Sequence, residues 1–198
     1  MKKIFFGLSA FITIAFTACG SNSNNAGTAN ETVVPETTAV AKQAADTVPA
    51  NTTVSNKDIV GAYLQMKNAF TKDNTNDAAT AGKTLQAAFI NFDSKTLSPQ
   101  QQKVFADIAD DAKEHAEHIG ANGGNIAHQR EHFDMLSKDM ADLIKTFGNG
   151  GQTLYKDFCP MYNKGKGAYW ISETKEIKNP YLGKAMPTCG TMKEEIKQ

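Results

Sequence analysis

Two short stretches carry the soft donor atoms of this chain. Phe158-Cys159-Pro160-Met161 and Met186-Pro187-Thr188-Cys189-Gly190 place two thiols and two thioethers in a region otherwise rich in Gly, Lys and Tyr. Thiolate and thioether sulfur prefer soft ions, above all Cu(I). Upstream, all four histidines fall between positions 115 and 132. His115 and His118 are spaced i,i+3, and His128 and His132 i,i+4, so each pair lies on one face if its segment is helical. Imidazole beside sulfur is a ligand inventory for a transition metal, and it offers no good case for catalysis.

Several known metal chemistries do not fit these spacings. A di-iron carboxylate bundle needs Glu-x-x-His on two helices, but the residues three before the histidines are Ala112, His115, Asn125 and Gln129. A zincin needs His-Glu-x-x-His, whereas His128-Gln129-Arg130-Glu131-His132 puts the acid at the wrong step. Glu114, Glu117, Glu131 and Asp134 are then expected on solvated helix faces. Gly165-Lys166-Gly167 lacks the Gly-Lys-Ser/Thr step of a phosphate loop.

The elements that must position the histidines are helices. Ile59, Tyr63, Met66 and Phe70 recur at helical spacing after Ser55-Asn56-Lys57-Asp58, which resembles a capping box with Asp in place of Glu. Asp73-Asn74-Thr75-Asn76 interrupts this stripe, and Ala78, Ala81, Leu85, Ala88, Phe89 and Phe92 form a second. Ser98-Pro99-Gln100-Gln101 is a stronger start, with an N-cap serine, proline in the first turn and glutamine three residues on. Phe105, Ile108, Ala112, His115 and Ile119 follow, and the glycine-rich run from Gly120 to Asn125 ends that helix. Ile126, Phe133, Leu136, Met140, Leu143 and Phe147 mark a fourth helix, stopped by Gly148-Asn149-Gly150-Gly151. Short loops between amphipathic helices predict a mainly α fold, an antiparallel four-helix bundle over 55–151. Thr153-Leu154-Tyr155 and Ala168-Tyr169-Trp170-Ile171 have strand composition, so 152–198 is expected to be an irregular, short-β cap of the same domain. The hairpin of the third and fourth helices gathers the histidines at one end of the bundle. His132 lies roughly 22 Å along the helix from Phe147, and the 12 residues to Cys159 span up to ~40 Å when extended. The tail can therefore return and lay Cys159 and Met161 over His132.

The N-terminus reads as an export signal. Met1-Lys2-Lys3 precedes an apolar run from Ile4 to Ala18, shorter than a membrane-spanning helix requires. Phe16-Thr17-Ala18-Cys19-Gly20 then resembles a bacterial lipoprotein cleavage box, which implies that residues 1–18 are removed and Cys19 is lipidated. Ser21 to Thr53, dominated by Asn, Ala, Thr, Ser and Val, has neither helical nor strand period, so 19–54 is expected to be a disordered lipidated tether. Loss of Lys2 and Lys3 from a chain with 21 basic and 21 acidic residues leaves 19 against 21, a net charge of −2. That excludes an electrostatic footprint for nucleic acid and a polybasic membrane patch. The lipid is then the only membrane attachment. In an oxidising compartment Cys159 and Cys189 can also pair. Such a disulfide would close a loop of about 30 residues, worth roughly 3–4 kcal/mol on the chain-entropy model.

Phe158-Cys159-Pro160-Met161 resembles the Cys-Pro-Met core of short heavy-metal-binding modules in bacterial metal transport proteins, with Tyr162 where those modules carry His. A longer pattern runs through His115-Ala116-Glu117-His118-Ile119, His128 to Phe133, Cys159-Pro160-Met161, Lys166-Gly167-Ala168-Tyr169-Trp170, Glu176 to Tyr181, Met186 and Cys189-Gly190. It resembles an uncharacterised periplasmic domain family whose members occur as small lipoproteins and fused behind the adaptor subunits of copper/silver efflux pumps. The resemblance covers about residues 55–192 and implies soft-metal binding in the cell envelope, with His118, His132, Cys159, Met161 and Cys189 at the candidate ligand positions.

The expectation is thus a lipid-anchored periplasmic protein, held at the inner leaflet of the outer membrane, that binds copper as Cu(I) in preference to zinc. It would buffer the ion or hand it to an efflux adaptor or pump. His118, His132, Cys159, Met161 and Cys189 are the expected ligands, and His115, His128 and Met186 the additional candidates. The alternative is a structural or interaction lipoprotein whose cap is locked by a Cys159–Cys189 disulfide.

Overall fold

The computed structural model describes residues 55–197. The expected signal peptide, Cys19 and the tether lie outside the described residues.

Four helices follow one another: α1 (Lys57–Thr71), α2 (Thr75–Asn91), α3 (Pro99–Ala121) and α4 (Ile126–Phe147). Each packs on its sequence neighbour, α1 on α2, α2 on α3 and α3 on α4. The start of α3 follows directly from its sequence. Ser98 accepts from the Gln101 amide while Gln101 Oε1 accepts from the Ser98 amide, a closed capping box with proline just inside. The start of α1 does not follow the same rule. Asn56 flanks the helix and makes no side-chain cap; its Nδ2 donates instead to the Gly148 carbonyl at 2.6 Å, tying the beginning of α1 to the end of α4. α3 also continues through Gly120 to Ala121 before turning. The reason is a close helix contact: a Cβ on Gly82 of α2 would lie 2.7 Å from the Ala116 carbonyl and 3.0 Å from the Gly120 amide. Gly120 is thus a packing residue that lets α2 and α3 approach. Gly148, at φ 94°, ends α4 in a conformation that side chains rarely adopt.

The apolar stripes meet in one core. Ile59, Tyr63, Met66 and Phe70 from α1, Leu85 and Phe89 from α2, Phe105, Ala112 and Ile119 from α3, and Phe133, Leu136, Met140 and Leu143 from α4 are all buried. Burying side chains of this size supplies about 1.5–3 kcal/mol each before entropy is counted.

The C-terminal segment is more regular than expected. β1 (Leu154–Cys159), β2 (Ala168–Ser172) and β3 (Thr191–Ile196) form an antiparallel sheet in the order β2-β1-β3. Cys159 pairs with Ala168 across the β1–β2 ladder, and Phe158 with Thr191 across the β1–β3 ladder, which carries a register shift between Lys156 and Asp157. β3 was invisible in the sequence because Thr191-Met192-Lys193-Glu194-Glu195-Ile196 has almost no apolar alternation; as an exposed edge strand it needs none. β2 is the strand that packs on α4 and α1. Trp170 and Ile171 are buried there, and the Ile171 amide donates to the Tyr63 hydroxyl at 3.1 Å. Tyr63 and Tyr181 both reach Ser137 of α4, and the Tyr181 hydroxyl also donates to the Tyr169 carbonyl. Burial raises both phenols well above their ordinary range, so both stay neutral. Below them, fully buried Lys67 approaches Glu173 at 2.7 Å, pinning α1 to the chain after β2.

Candidate metal centre

The turn Asn122–Asn125 reverses the chain between α3 and α4, and Asn125 caps α4 by accepting from the His128 amide. His115 of α3 then faces His132 of α4, and His118 faces His128, so the index rises on one helix as it falls on the other. That is an antiparallel hairpin with all four imidazoles near its tip.

His118, His128 and His132 each offer a ring nitrogen within 4.8 Å of the others. His132 is the hub. Its ring stacks parallel on His118 at 4.2 Å between centroids, meets His128 edge-on at 4.6 Å, and bonds through Nδ1 to His115 Nδ1 at 3.2 Å. Desolvation, followed by the neighbouring His118, His128 and His115 rings, pushes the His132 pKa down to about 4. Burial lowers His115 as well. His132 is therefore a neutral imidazole at neutral pH, the protonation state a metal ligand needs.

The Nδ1–Nδ1 bond holds one proton, which leaves Nε2 of His132 as its free nitrogen. If Nδ1 of His132 donates, His115 accepts at Nδ1 and carries its own proton on Nε2. His115 Nε2 lies 4.0 Å from Asp139 Oδ2, a buried carboxyl oxygen with no hydrogen-bond partner. Desolvation, with Asp111 and Asp142 nearby, raises Asp139 to about 6. His115 is thus the group that can fix the tautomer of the hub imidazole, as the outer groups around metal-bound histidines do, with the Asp139 carboxyl a further 4.0 Å from its other nitrogen.

Residues 59–152 match a family described as protein of unknown function (DUF3347). The DUF3347 match spans α1 to α4 and holds all four histidines; it ends before β1, leaving Cys159, Met161, Met186 and Cys189 beyond it. No curated protein and no solved structure matches the chain.

The cysteines lie outside this group. Among the described residues, the group of clustered His, Cys, Asp and Glu ligands holds the three imidazoles and neither cysteine. Cys159 ends β1 in the core and faces Cys189, with Sγ–Sγ 3.6 Å. Met161 and Met186 are exposed, at 60% and 42%. Neither cysteine of the expected tail-over-histidine set joins the three imidazoles, and the strand that lies against α4 is β2. The side chain that reaches back toward that helix is Tyr162, stacked on Tyr181 at 4.4 Å, with Tyr181 in turn against Phe133. Burial, with Asp134 and Glu131 nearby, raises Tyr162 to about 12. His128, an additional candidate from sequence, belongs to the central trio. Asp139 had no signal at all, since an acid on a helix normally reads as a solvated face.

Arg130 and Asn179 tie the cap to the helices and to itself. Arg130 donates to the Pro180 and Phe70 carbonyls and pairs with Asp73 at 2.6 Å, locking the start of α4 to the α1–α2 turn. Asn179 accepts from the Tyr181 and Leu182 amides, each at 2.8 Å, and donates to the Cys189 carbonyl. The Asn179-Pro180-Tyr181 signature is thus a structural clasp.

Proposed function

We propose that this protein binds a transition-metal ion, copper above all, through His118, His128 and His132 at the tip of the α3–α4 hairpin. The observation that carries the reading is the convergence of three imidazole nitrogens within 4.8 Å of one another around the neutral ring of His132. Imidazole suits copper and zinc alike, but nitrogen sites favour Cu(II) over the other divalent first-row ions. With neither cysteine in the cluster, the divalent ion replaces Cu(I) as the expected guest of this site. His115 orients the hub ring through its Nδ1 bond. The helices act as an antiparallel four-helix bundle that presents the site, and the cap braces α4 from behind. The protein serves as a copper buffer or carrier in the bacterial envelope, handing the ion to an efflux adaptor or pump. The resemblance to efflux-associated lipoproteins supports that setting, with Cys19 as the lipid attachment in the periplasm.

Titration of the purified protein with Cu(II), read by paramagnetic resonance for nitrogen coupling, tests the reading. One equivalent bound with several coupled nitrogens is expected, and none in a His118→Ala/His128→Ala/His132→Ala variant. Equal binding by that variant would contradict it.

A further inference from the structure

The second concentration of ligand chemistry lies in the cap. Cys159 and Cys189 are both free thiols, 3.6 Å apart. Their backbones are fixed from both sides. Cys159 is locked in the β1–β2 ladder. Cys189 donates its amide to the Met186 carbonyl at 3.2 Å, and its own carbonyl accepts from Asn179 Nδ2. The next residue, Gly190, is pressed onto the sheet: a Cβ there would lie 2.9 Å from Trp170 Cη2 and 3.0 Å from the Phe158 carbonyl. The chain beside Cys189 has no room for a side chain, which keeps its thiol over Cys159.

We propose that Cys159 and Cys189 form a second metal site, a two-thiolate pocket for a soft monovalent cation, Cu(I), distinct from the imidazole cluster. The spacing supports an ion between the sulfurs. Two sulfurs about 2.3 Å from one ion stand about 3.7 Å apart at a tetrahedral angle and about 4.6 Å apart in line. The observed 3.6 Å needs an opening of an ångström or less, which rotation of the partly exposed Cys189 side chain supplies. The donor set selects the ion. Zinc in a structural site takes four ligands, and among the described residues no third His, Cys, Asp or Glu joins the two thiols. A low-coordinate, soft site is what thiolates offer Cu(I), with the exposed thioethers of Met161 and Met186 close in sequence for capture. Full burial of Cys159 leaves the Cys189 side as the open face. Both thiols release their protons when the ion binds, so affinity rises with pH.

This site stands apart from the histidine reading, and the test separates them. Protein kept anaerobic with a phosphine reductant is titrated with Cu(I) against a chromophoric Cu(I) chelator. One tight equivalent is expected in the parent and in the His118→Ala/His128→Ala/His132→Ala variant. Cys189→Ser, at a partly exposed position, and Cys159→Ala, which adds no polar group to the core, should each weaken that equivalent by about 100-fold or more, roughly the share of one ligand in a metal site. Sulfur neighbours at about 2.3 Å in the absorption fine structure of the loaded parent would agree. Cu(I) binding unchanged in both cysteine variants overturns the proposal. So does a pair that stays cross-linked, two mass units light, under reductant, because the cap then holds a staple.

Discussion

Replacing His132 with alanine isolates the claim that one ring organises the imidazole cluster. His132 touches each of the other three histidines, by stacking on His118, edge contact with His128 and the Nδ1 bond to His115. Four-ligand structural zinc sites have apparent binding free energies of about 10–16 kcal/mol, or about 2.5–4 kcal/mol per ligand. Losing one of three imidazoles should therefore weaken Cu(II) binding by roughly 10²–10³-fold. The apoprotein should barely change, since the ring is only partly buried. Thermal unfolding with and without metal checks both statements together. At a free ion concentration 100 times Kd, binding adds about 2.7 kcal/mol to the parent, worth roughly 5–11 °C in Tm. The variant at the same ion concentration should lose most of that rise while its metal-free Tm moves by a degree or two. A variant that keeps the full metal-induced rise would refute the argument, because His132 is the ring in contact with the other three.

Further outcomes follow from the surrounding shell. His115→Gln removes the ring that fixes the His132 tautomer and should weaken Cu(II) by about 10–100-fold with the coordinated nitrogens otherwise unchanged; Asp139→Asn should do the same more mildly, and isothermal titration reads both. Gly82→Ala forces a methyl against the Ala116 carbonyl and the Gly120 amide, so chemical denaturation should show a loss of about 1–3 kcal/mol. Ser98→Ala opens the capping box of α3 and should cost about 1 kcal/mol in the same assay. For pH, His132 has a folded pKa of about 4, below its ordinary value of 6.5, so its contribution to stability is full above 6.5 and is lost as pH falls toward 4. Asp139 and Asp157, both raised to about 6, act oppositely, being most favourable below about 4 and losing that contribution as pH rises through 6. His132→Ala should therefore gain stability relative to the parent as pH is lowered from 6.5 to 4, which stability curves at a series of pH values will show.

The helices were legible because their evidence is local. A stripe such as Ile59, Tyr63, Met66 and Phe70 repeats at the helical period, and Ser98-Pro99-Gln100-Gln101 carries its own cap, so neither needs the rest of the chain. The gathering of the histidines was equally local: helical spacing and one reversal suffice to bring them to one end of the hairpin. The position of the sulfur atoms was not, because reach sets only an outer limit on where a tail can go. Which strand lies on α4 is decided by nonlocal burial, and there Trp170 and Tyr181 are buried against each other. The same holds for Gly120, which the sequence offers as a helix stop and the fold uses as a contact, and for Asp139, whose burial near a ring on another helix no local pattern signals. By itself the sequence determined the elements and the ligand inventory, since both depend on neighbours along the chain. Only the tertiary structure decided that imidazole and thiol form separate clusters, because that division depends on which side chains win the shared interior.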